Sequence, residues 1–491
     1  MYLTLYLLAV AALALHAPDV VWQPGSKEFF VILGTLGAWR YSWGAVHLVR
    51  SLIYRHSAFP QLRRAAAALG DAAQPSHVYI VISSYRIRTE TTARVYQAAI
   101  AEAIRYGHRV TIVASIVEPA DQRLIKQVFL RMKPPAEVRL ILVRRPAVGK
   151  RHGMACSLRA ISRCRPPEDA AVMMVDGDTL LTPGCLSRSL PFLKLLPEVD
   201  GITTDEDCIV AAGPVLRAWH SLRFAQRHLL MSSMGLSRRL LVLTGRMSIC
   251  RGSVATDPDF IRTIENDYFD HWRLGRFKLL TGEDKSTWFW LLRAGRSMLY
   301  LPDVQVITIE HPPSRSLVPA STQLMLRWFG NMLRTNARAI ALGPRRLGLF
   351  TWWCLVDQRL SMWTPLIGPT VALFFTLGKS FVFFYAYLLW IALTRLVQAL
   401  LLLTARPTIS GLYPPLIYFG QVYGALLKTY ILFRLDRQRW TRQNITFEIR
   451  LSPWHARLQN LGSAYLHVLA IGTLITAVAL STKLLGLPRL F

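Results

Sequence analysis

The chain has 491 residues, 52% of them hydrophobic, and a formal net charge of +29, with a mean hydropathy of +0.29. Greasy and basic together, this composition excludes an ordinary soluble enzyme and points to a membrane protein with a cytoplasmic body. The basic excess comes without any basic-aromatic recognition module, which excludes nucleic acid as a partner; the lipid bilayer's anionic headgroups and an anionic substrate or product remain. The six cysteines form no Cys-x-x-Cys pair, so no zinc or redox site is expected and the thiols are read as reduced.

In chain order, residues 1–15 are almost wholly apolar and 29–53 form a second apolar stretch that carries Arg40, His47 and Arg50. We expect a pair of membrane helices within 1–60, the first of marginal length. The connection near 16–28 carries only Lys27, whereas Arg50, Arg55, Arg63 and Arg64 follow the second helix, so the positive-inside rule puts the following body in the cytoplasm. From 70 to 320 the pattern alternates between strand and helix. Strands are predicted at Val78–Ile82, Val110–Ala114, Val138–Val143 and 170–174, with a helix over Thr91–Arg105, which implies a mainly parallel α/β sheet of nucleotide-binding type. The first strand is followed by no Gly-x-Gly-x-x-Gly and the chain has no Walker loop, which leaves little support for a dinucleotide or P-loop site. Residues 321–360 suit amphipathic helices lying at the membrane interface. The C-terminal region 361–491 holds apolar stretches at 361–378, 380–403 and 464–485, each long enough to span. The stretch 412–433, with Pro414-Pro415, Gln421 and Lys428 inside it and the basic run Arg434, Arg437, Arg439, Arg442 after it, is expected to be interfacial or re-entrant.

Chemistry concentrates in the body. The predicted strand 170–174 runs into Asp176-Gly177-Asp178, so two carboxylates emerge at the strand's carboxyl end, where ligands sit in open α/β sheets. Such a pair is either a solvated turn or a holder for Mg²⁺ or Mn²⁺ shared with a substrate diphosphate, because these hard ions keep few protein ligands. Upstream, Gly149-Lys150-Arg151 is either a solvated basic loop or two cations set to approach that diphosphate. The acids Asp205, Glu206 and Asp207, after an apolar turn, are either surface charge or contacts to an acceptor or metal, and Arg246 in Thr244-Gly245-Arg246 can pair with a carboxylate on an acceptor. Glu283 and Asp284 precede a predicted helix Ser286–Arg293, where they serve either as a cap or as a general base. Arg327, Asn331, Arg334 and Arg338 share one helix face beside Trp328, either as donors to a pocket or as snorkelling cations. Arg395, inside an apolar stretch, has two readings as well: a structural pair, or the lining of a path for a polyanion.

The order of these features, Gly149-Lys150-Arg151, Asp176-Gly177-Asp178, Thr281-Gly282-Glu283-Asp284 and then Arg327-Trp328 before C-terminal spans, resembles the processive family 2 glycosyltransferases. Within that family the chain is most similar to the branch of bacterial mannuronan synthases, on strings such as Trp39-Arg-Tyr-Ser-Trp-Gly44, His271-Trp-Arg-Leu-Gly275 and Asp357-Gln-Arg-Leu-Ser-Met-Trp363. The resemblance implies a GT-A catalytic domain between transmembrane helices. It implies transfer of mannuronate from GDP-mannuronic acid, with inversion, to a β-1,4 mannuronan chain that leaves through the protein's own membrane region, and activation by a separate PilZ-domain subunit that binds cyclic di-GMP. By position it implies Asp176 and Asp178 at the nucleotide diphosphate and metal, Asp284 as base with Glu283 beside it, and Arg327 and Trp328 at pyrophosphate and acceptor. A hyaluronan- or chitin-like synthase, or a transferase acting on a lipid-linked sugar, would use the same residues with another donor; an inert channel or scaffold would leave the acidic pairs without a use. The chain departs from the family at Leu324, where glutamine is usual, and at Ser83-Ser84-Tyr85 and Glu118-Pro119, which stand in place of an Asp-rich nucleotide motif.

Overall fold

A computed structural model describes residues 2–19, 27–440, 445–447 and 452–483. Its centre is an eight-stranded sheet built from β1 (Val78–Ser83), β2 (Val110–Ile116), β3 (Val138–Arg144), β4 (Ala171–Asp176), β5 (Thr179–Leu181), β6 (Val199–Val210), β7 (Met247–Arg251) and, after a separate hairpin of β8 (Tyr268–His271) and β9 (Gly275–Lys278), β10 (Ser297–Glu310). The strand order is β3-β2-β1-β4-β7-β6-β10-β5. β3, β2, β1 and β4 run parallel, as does the pair β6 and β10, while β7 and β5 run against their neighbours. The expected parallel sheet is therefore a mixed one, the GT-A-like arrangement. Its central strands are near-continuous runs of Val, Ile and Met because helices cover both faces and leave no side of the strand for polar residues.

Register places the chemistry. Ser83 at the end of β1 pairs with Asp176 at the end of β4, and Ile116 at the end of β2 pairs with Arg144, so the loops that follow open on one sheet edge. Two boundaries differ from expectation. Residues 201–207 lie inside the twelve-residue strand β6, where alternate acids sit on a sheet rather than a turn, and the helix expected from Ser286 begins at Glu283.

Among the described residues three helices are long and apolar enough to cross a membrane: Leu349–Gly378, Val382–Thr404 and Pro453–Ser481. All three follow the body. The first joins the amphipathic segment expected at 346–360 to the span expected at 361–378, through a turn at 361–363. Of the expected N-terminal pair, Tyr2–Leu15 is apolar but only 14 residues long, and Lys27–Ile53 carries Lys27, Glu28, Arg40 and Arg50 and is not among the three. The stretch 412–433 is one unbroken helix, Tyr413–Leu432, which corrects the re-entrant alternative: Pro414 and Pro415 occupy its first turn, where a missing amide hydrogen costs nothing. Arg442 and residues 20–26 and 484–485 of the expected segments lie outside the described residues.

The N-terminal segment is keyed into the body at one point. Lys27–Ile53 continues through a π-helical turn, Tyr54–Ala58, into Phe59–Ala68. The extra residue in that turn aims Tyr54 inward, where it is 1% exposed and its hydroxyl donates to the Tyr300 carbonyl at 2.6 Å. Gly235, at the end of the helix Pro214–Gly235, receives the ring: a Cβ there would lie 2.5 Å from it. Gly235→Ala is expected to cost roughly 1–3 kcal/mol through overpacking. The midpoint of thermal unfolding in detergent should fall accordingly and recover in part when Tyr54→Leu is added.

Candidate active site

The sheet edge opens into a cleft of about 220 Å³ whose floor is the carboxyl end of β4. Asp176 and Asp178 both line it, and the glycine between them is dictated by sterics: a Cβ at Gly177 would lie 2.4 Å from Ser84 Oγ and 2.7 Å from the Ser83 carbonyl oxygen. The Gly177 amide donates to that same carbonyl at 2.9 Å, which ties the acidic turn to β1. Ser83, Ser84, Tyr85 and Val117 complete one wall, so of the two segments that depart from the Asp-rich pattern Ser83-Ser84-Tyr85 borders the cleft and Glu118-Pro119 lies just beyond its lining; among the described residues the Ser83 and Ser84 hydroxyls are buried without a hydrogen-bond partner.

Lys150 opens the helix Lys150–Arg163 and projects across the cleft, where its ammonium donates to both Asp176 Oδ1 and Glu283 Oε1. The bridge joins the two acidic motifs expected to serve donor and acceptor. Gly245 lies over it, its Cβ position 3.4 Å from Asp176 Oδ2 and 3.5 Å from Lys150 Nζ. The three charges share their protons unequally. Burial, Asp178 and Glu283 push Asp176 up to about 6 against the pull of Lys150. Glu283, also buried, is drawn down to about 2 because Lys150 and Arg151 more than offset the burial. Asp284 is raised, by burial first and then by the adjacent Glu283 charge.

The turn before Glu283 is braced from two sides. Gly282 has φ +81°, and a Cβ would lie 2.8 Å from Asn331, so both backbone and neighbour require glycine. Thr281 Oγ1 donates to Asn331 Oδ1 at 2.8 Å, and the Leu280 amide donates to Gln438 Oε1 at 2.8 Å. Asn331 belongs to the helix Leu317–Ile340, which also brings Arg327 and Trp328 to the cleft. Leu324 of the same helix faces away from the cleft and packs with Trp219, Met325 and Leu416, which is why an apolar residue fits there.

Several expected residues lie elsewhere or act differently. Arg151 is 4% exposed and is spent on the carbonyls of Ile264 and Thr281 and on Ser286, so it supports the cleft wall and does not reach a diphosphate. Asp205, on β6, is buried with His228, Tyr300 and Arg406, held well below the usual carboxylate range because those partners more than offset its burial. Glu206 is 2% exposed and pairs with Arg227 and Arg246. Arg246 does line the cleft, but its guanidinium already holds Glu206 at 3.3 Å and Glu310 at 2.7 Å. The expected row of donors splits: Arg327 and Asn331 face the cleft, whereas Arg334 is buried against the Leu435 carbonyl and Arg338 pairs with Asp267 at 2.9 Å. Sequence reasoning missed Glu310 and Gln438, whose positions depend on contacts far away in the chain, and Arg145, which is exposed at the cleft shortly before Gly149-Lys150-Arg151.

Residues 75–331, the whole sheet and the start of the cleft-lining helix, match the glycosyltransferase-like family 2. Two curated relatives are similar over almost their full length. A protein named glycosyltransferase alg8 from Pseudomonas syringae pv. tomato is 45% identical over 96% of this chain and 97% of its own, and one of the same name from Azotobacter vinelandii is 44% identical over 97% of each. Among solved structures, the mannosyltransferase PcManGT from Pyrobaculum calidifontis, in complex with GDP-Man and Mn²⁺, is 16% identical, with a TM-score of 0.43 over 78% of this chain and 97% of that one.

The Lys150 bridge makes a prediction with a sign. Lys150→Met leaves Asp176 and Glu283 facing each other without their cation, and is expected to cost about 3 kcal/mol near pH 7. Both carboxyls would then titrate above their unfolded values, so they stabilise the fold below the folded pKa and lose that contribution as pH rises through it. The deficit should therefore shrink as pH is lowered from about 7 to about 5. Thermal unfolding of both proteins across that range checks it, and a deficit independent of pH would exclude the bridge as its source.

Proposed function

The chain belongs to glycosyltransferase family 2 and is a glycosyltransferase; from that premise we propose that it is a processive, inverting polysaccharide synthase that adds mannuronate from GDP-mannuronic acid to a β-1,4 chain, the precursor of alginate. The observation that carries this reading is one cleft in which the Asp176–Asp178 pair and Asp284 stand on two elements joined through Lys150 and Glu283, with Arg327 and Trp328 closing it.

In this reading Asp178, with Asp176 beside it, receives the donor diphosphate together with a divalent cation, Mg²⁺ or Mn²⁺. The described residues contain no group of three or more His, Cys, Asp or Glu side chains able to hold a metal, so the donor set suits an ion that takes two carboxylates and completes its shell with phosphate and water. When bound, such an ion supplies positive charge to the diphosphate. The chain's own residues do the rest. Arg327, and Arg145 at the opposite wall, offer guanidinium donors to the leaving GDP, whose charge grows as the sugar–phosphate bond breaks. Asp284 takes the proton of the acceptor hydroxyl as its oxygen attacks the anomeric carbon from the far side, which inverts the configuration there. Trp328 offers the acceptor ring a flat face. Charges about 4 Å apart interact by about 1 kcal/mol in water and several-fold more in a closed site, so helices that exclude water from the cleft contribute to the rate.

The three apolar helices after the body and the basic exit from Lys27–Ile53 support a multi-pass inner-membrane protein with its catalytic domain in the cytoplasm and a path for the polymer through its C-terminal helices. The family resemblance supports activation by a PilZ-domain, cyclic di-GMP-binding copolymerase subunit.

A panel of nucleotide sugars offered to the purified membrane complex tests the donor. GDP-mannuronate should be turned over and UDP-glucose or UDP-N-acetylglucosamine should not; the opposite preference would overturn the reading. Asp284→Asn should bind GDP with little change yet form no polymer, and retained polymerisation would remove Asp284 as base. Asp178→Ala should weaken nucleotide binding only when Mg²⁺ or Mn²⁺ is present, whereas an equal loss without metal would count against its role as a ligand.

A further inference from the structure

Behind Trp328 the balance of charge is uneven. Arg223, on the helix Pro214–Gly235, lies with its guanidinium 4.2 Å from the Trp328 ring centroid and 5.1 Å from that of Trp219, and the two indoles are stacked 6.0 Å apart at 18°. Lys428, on Tyr413–Leu432, lies 4.7 Å from the ring of Phe329, the residue after Trp328. Among the described residues neither cation has a hydrogen bond or an ion pair. Their neighbours do not make up the deficit. Arg227 and Arg246 already hold Glu206 and Glu310, and Arg40, near Lys428, is paired with Asp357 at 2.6 Å.

Half-buried cations set beside like charges, with only aromatic faces for company, are costly unless an anion completes them. Burial and the charges of Arg246 and Arg227 draw Arg223 down to about 10, the same strain seen from the proton's side. The two cations also mark a route. Trp328 lines the catalytic cleft, while Lys428 lines a second cavity of about 300 Å³ among the C-terminal helices, together with Arg40, Arg395, Trp390 and Tyr418. Arg395 has no carboxylate partner among the described residues; its guanidinium meets the Tyr41 hydroxyl at 3.2 Å. Flat rings alternating with unneutralised cations are what a chain of acidic sugars requires: a face for each ring and a charge for each carboxylate.

We propose that Arg223 and Lys428 form a carboxylate-reading subsite for the growing chain, Arg223 at the sugar that follows the one on Trp328 and Lys428 at the entrance to the second cavity. They are specificity-determining residues, which select an acidic acceptor over a neutral one of the same shape. The inference rests on the uronate-polymerising reading above and adds the residues that sense the acid in the acceptor, as distinct from the donor.

The test compares binding of a β-1,4-linked mannuronate tetrasaccharide with that of the same oligosaccharide after its carboxyls are reduced to alcohols, using full-length protein in detergent. Wild type should prefer the acidic oligomer by about tenfold or more, as charge-assisted hydrogen bonds allow. Arg223→Gln and Lys428→Met should each erase most of that preference, while Arg223→Lys should keep much of it with an unchanged thermal midpoint. Equal affinity of wild type for the two oligomers, binding of neither, or a preference untouched in Arg223→Gln would overturn the proposal. So would competition showing that anionic phospholipid, and not the oligosaccharide, occupies the site. Donor hydrolysis measured without acceptor separates the two readings. A protein that takes GDP-mannuronate but ignores the acceptor's carboxyls overturns only this subsite, whereas one that takes only neutral donors overturns the reading it rests on.

Discussion

One ammonium group holds the catalytic cleft together. Lys150 lies between the Asp176 carboxylate at the end of a buried strand and the Glu283 carboxylate at the start of a helix more than a hundred residues later. Without it the two acidic motifs would repel across a poorly hydrated gap, and the strand edge and the helix start would part. With it, Asp176 and Glu283 are tied to one cation, while Asp178 and Asp284, the two carboxylates proposed for leaving group and acceptor, stand outside the bridge. The proposed division of labour between holding a diphosphate and accepting a proton matches which acids the lysine leaves unbridged.

Much of this arrangement is legible from the amino acids because local rules act on it. Strands β1, β2 and β4 are buried on both faces, so they must be written as largely apolar runs, and such runs are easily found; the edge strand β3 keeps the apolar run but exposes Arg139 and Arg144. Asp176-Gly177-Asp178 and Thr281-Gly282-Glu283-Asp284 are legible because each glycine answers a steric demand at its own turn, Gly177 against Ser83, Ser84 and Ile87, and Gly282, at positive φ, against Asn331. What is not legible is the partner of a charged side chain. Arg151 and Lys150 are adjacent, yet one faces the cleft and the other is locked under it, since consecutive helical positions point about 100° apart and no pattern records which carbonyls wait on the inner side. Asp205 reads as surface acid because its partners, His228, Tyr300 and Arg406, come from three separate elements, the last of them beyond the body altogether. The helix face of Arg327, Asn331, Arg334 and Arg338 shows the same limit: periodicity puts them in a row, but the row is longer than the cleft.

Family resemblance supplied what spacing could not, the pairing of Asp284 with a donor site far upstream, and the structure explains the departures from it. Leu324 stands where the family usually has glutamine because in this chain that position packs against Trp219 and the Tyr413–Leu432 helix. Ser83-Ser84-Tyr85 replaces acidic residues on a wall whose second row, Ser115, Ile116 and Val117, is also uncharged, so the nucleotide side of the cleft is lined by hydroxyl and apolar groups.

The two braces on the turn before Glu283 have a wider consequence. Asn331 comes from the helix that leaves the catalytic body, and Gln438 from the chain just after Tyr413–Leu432; both hold the few residues that lead into Glu283 and Asp284. Chemistry and lodging are thereby one mechanical unit. A fragment that ended before Tyr413–Leu432 would lose the Gln438 brace, and one that ended before Leu317–Ile340 would lose both, so the turn that carries Glu283 and Asp284 depends on chain that lies outside the sheet.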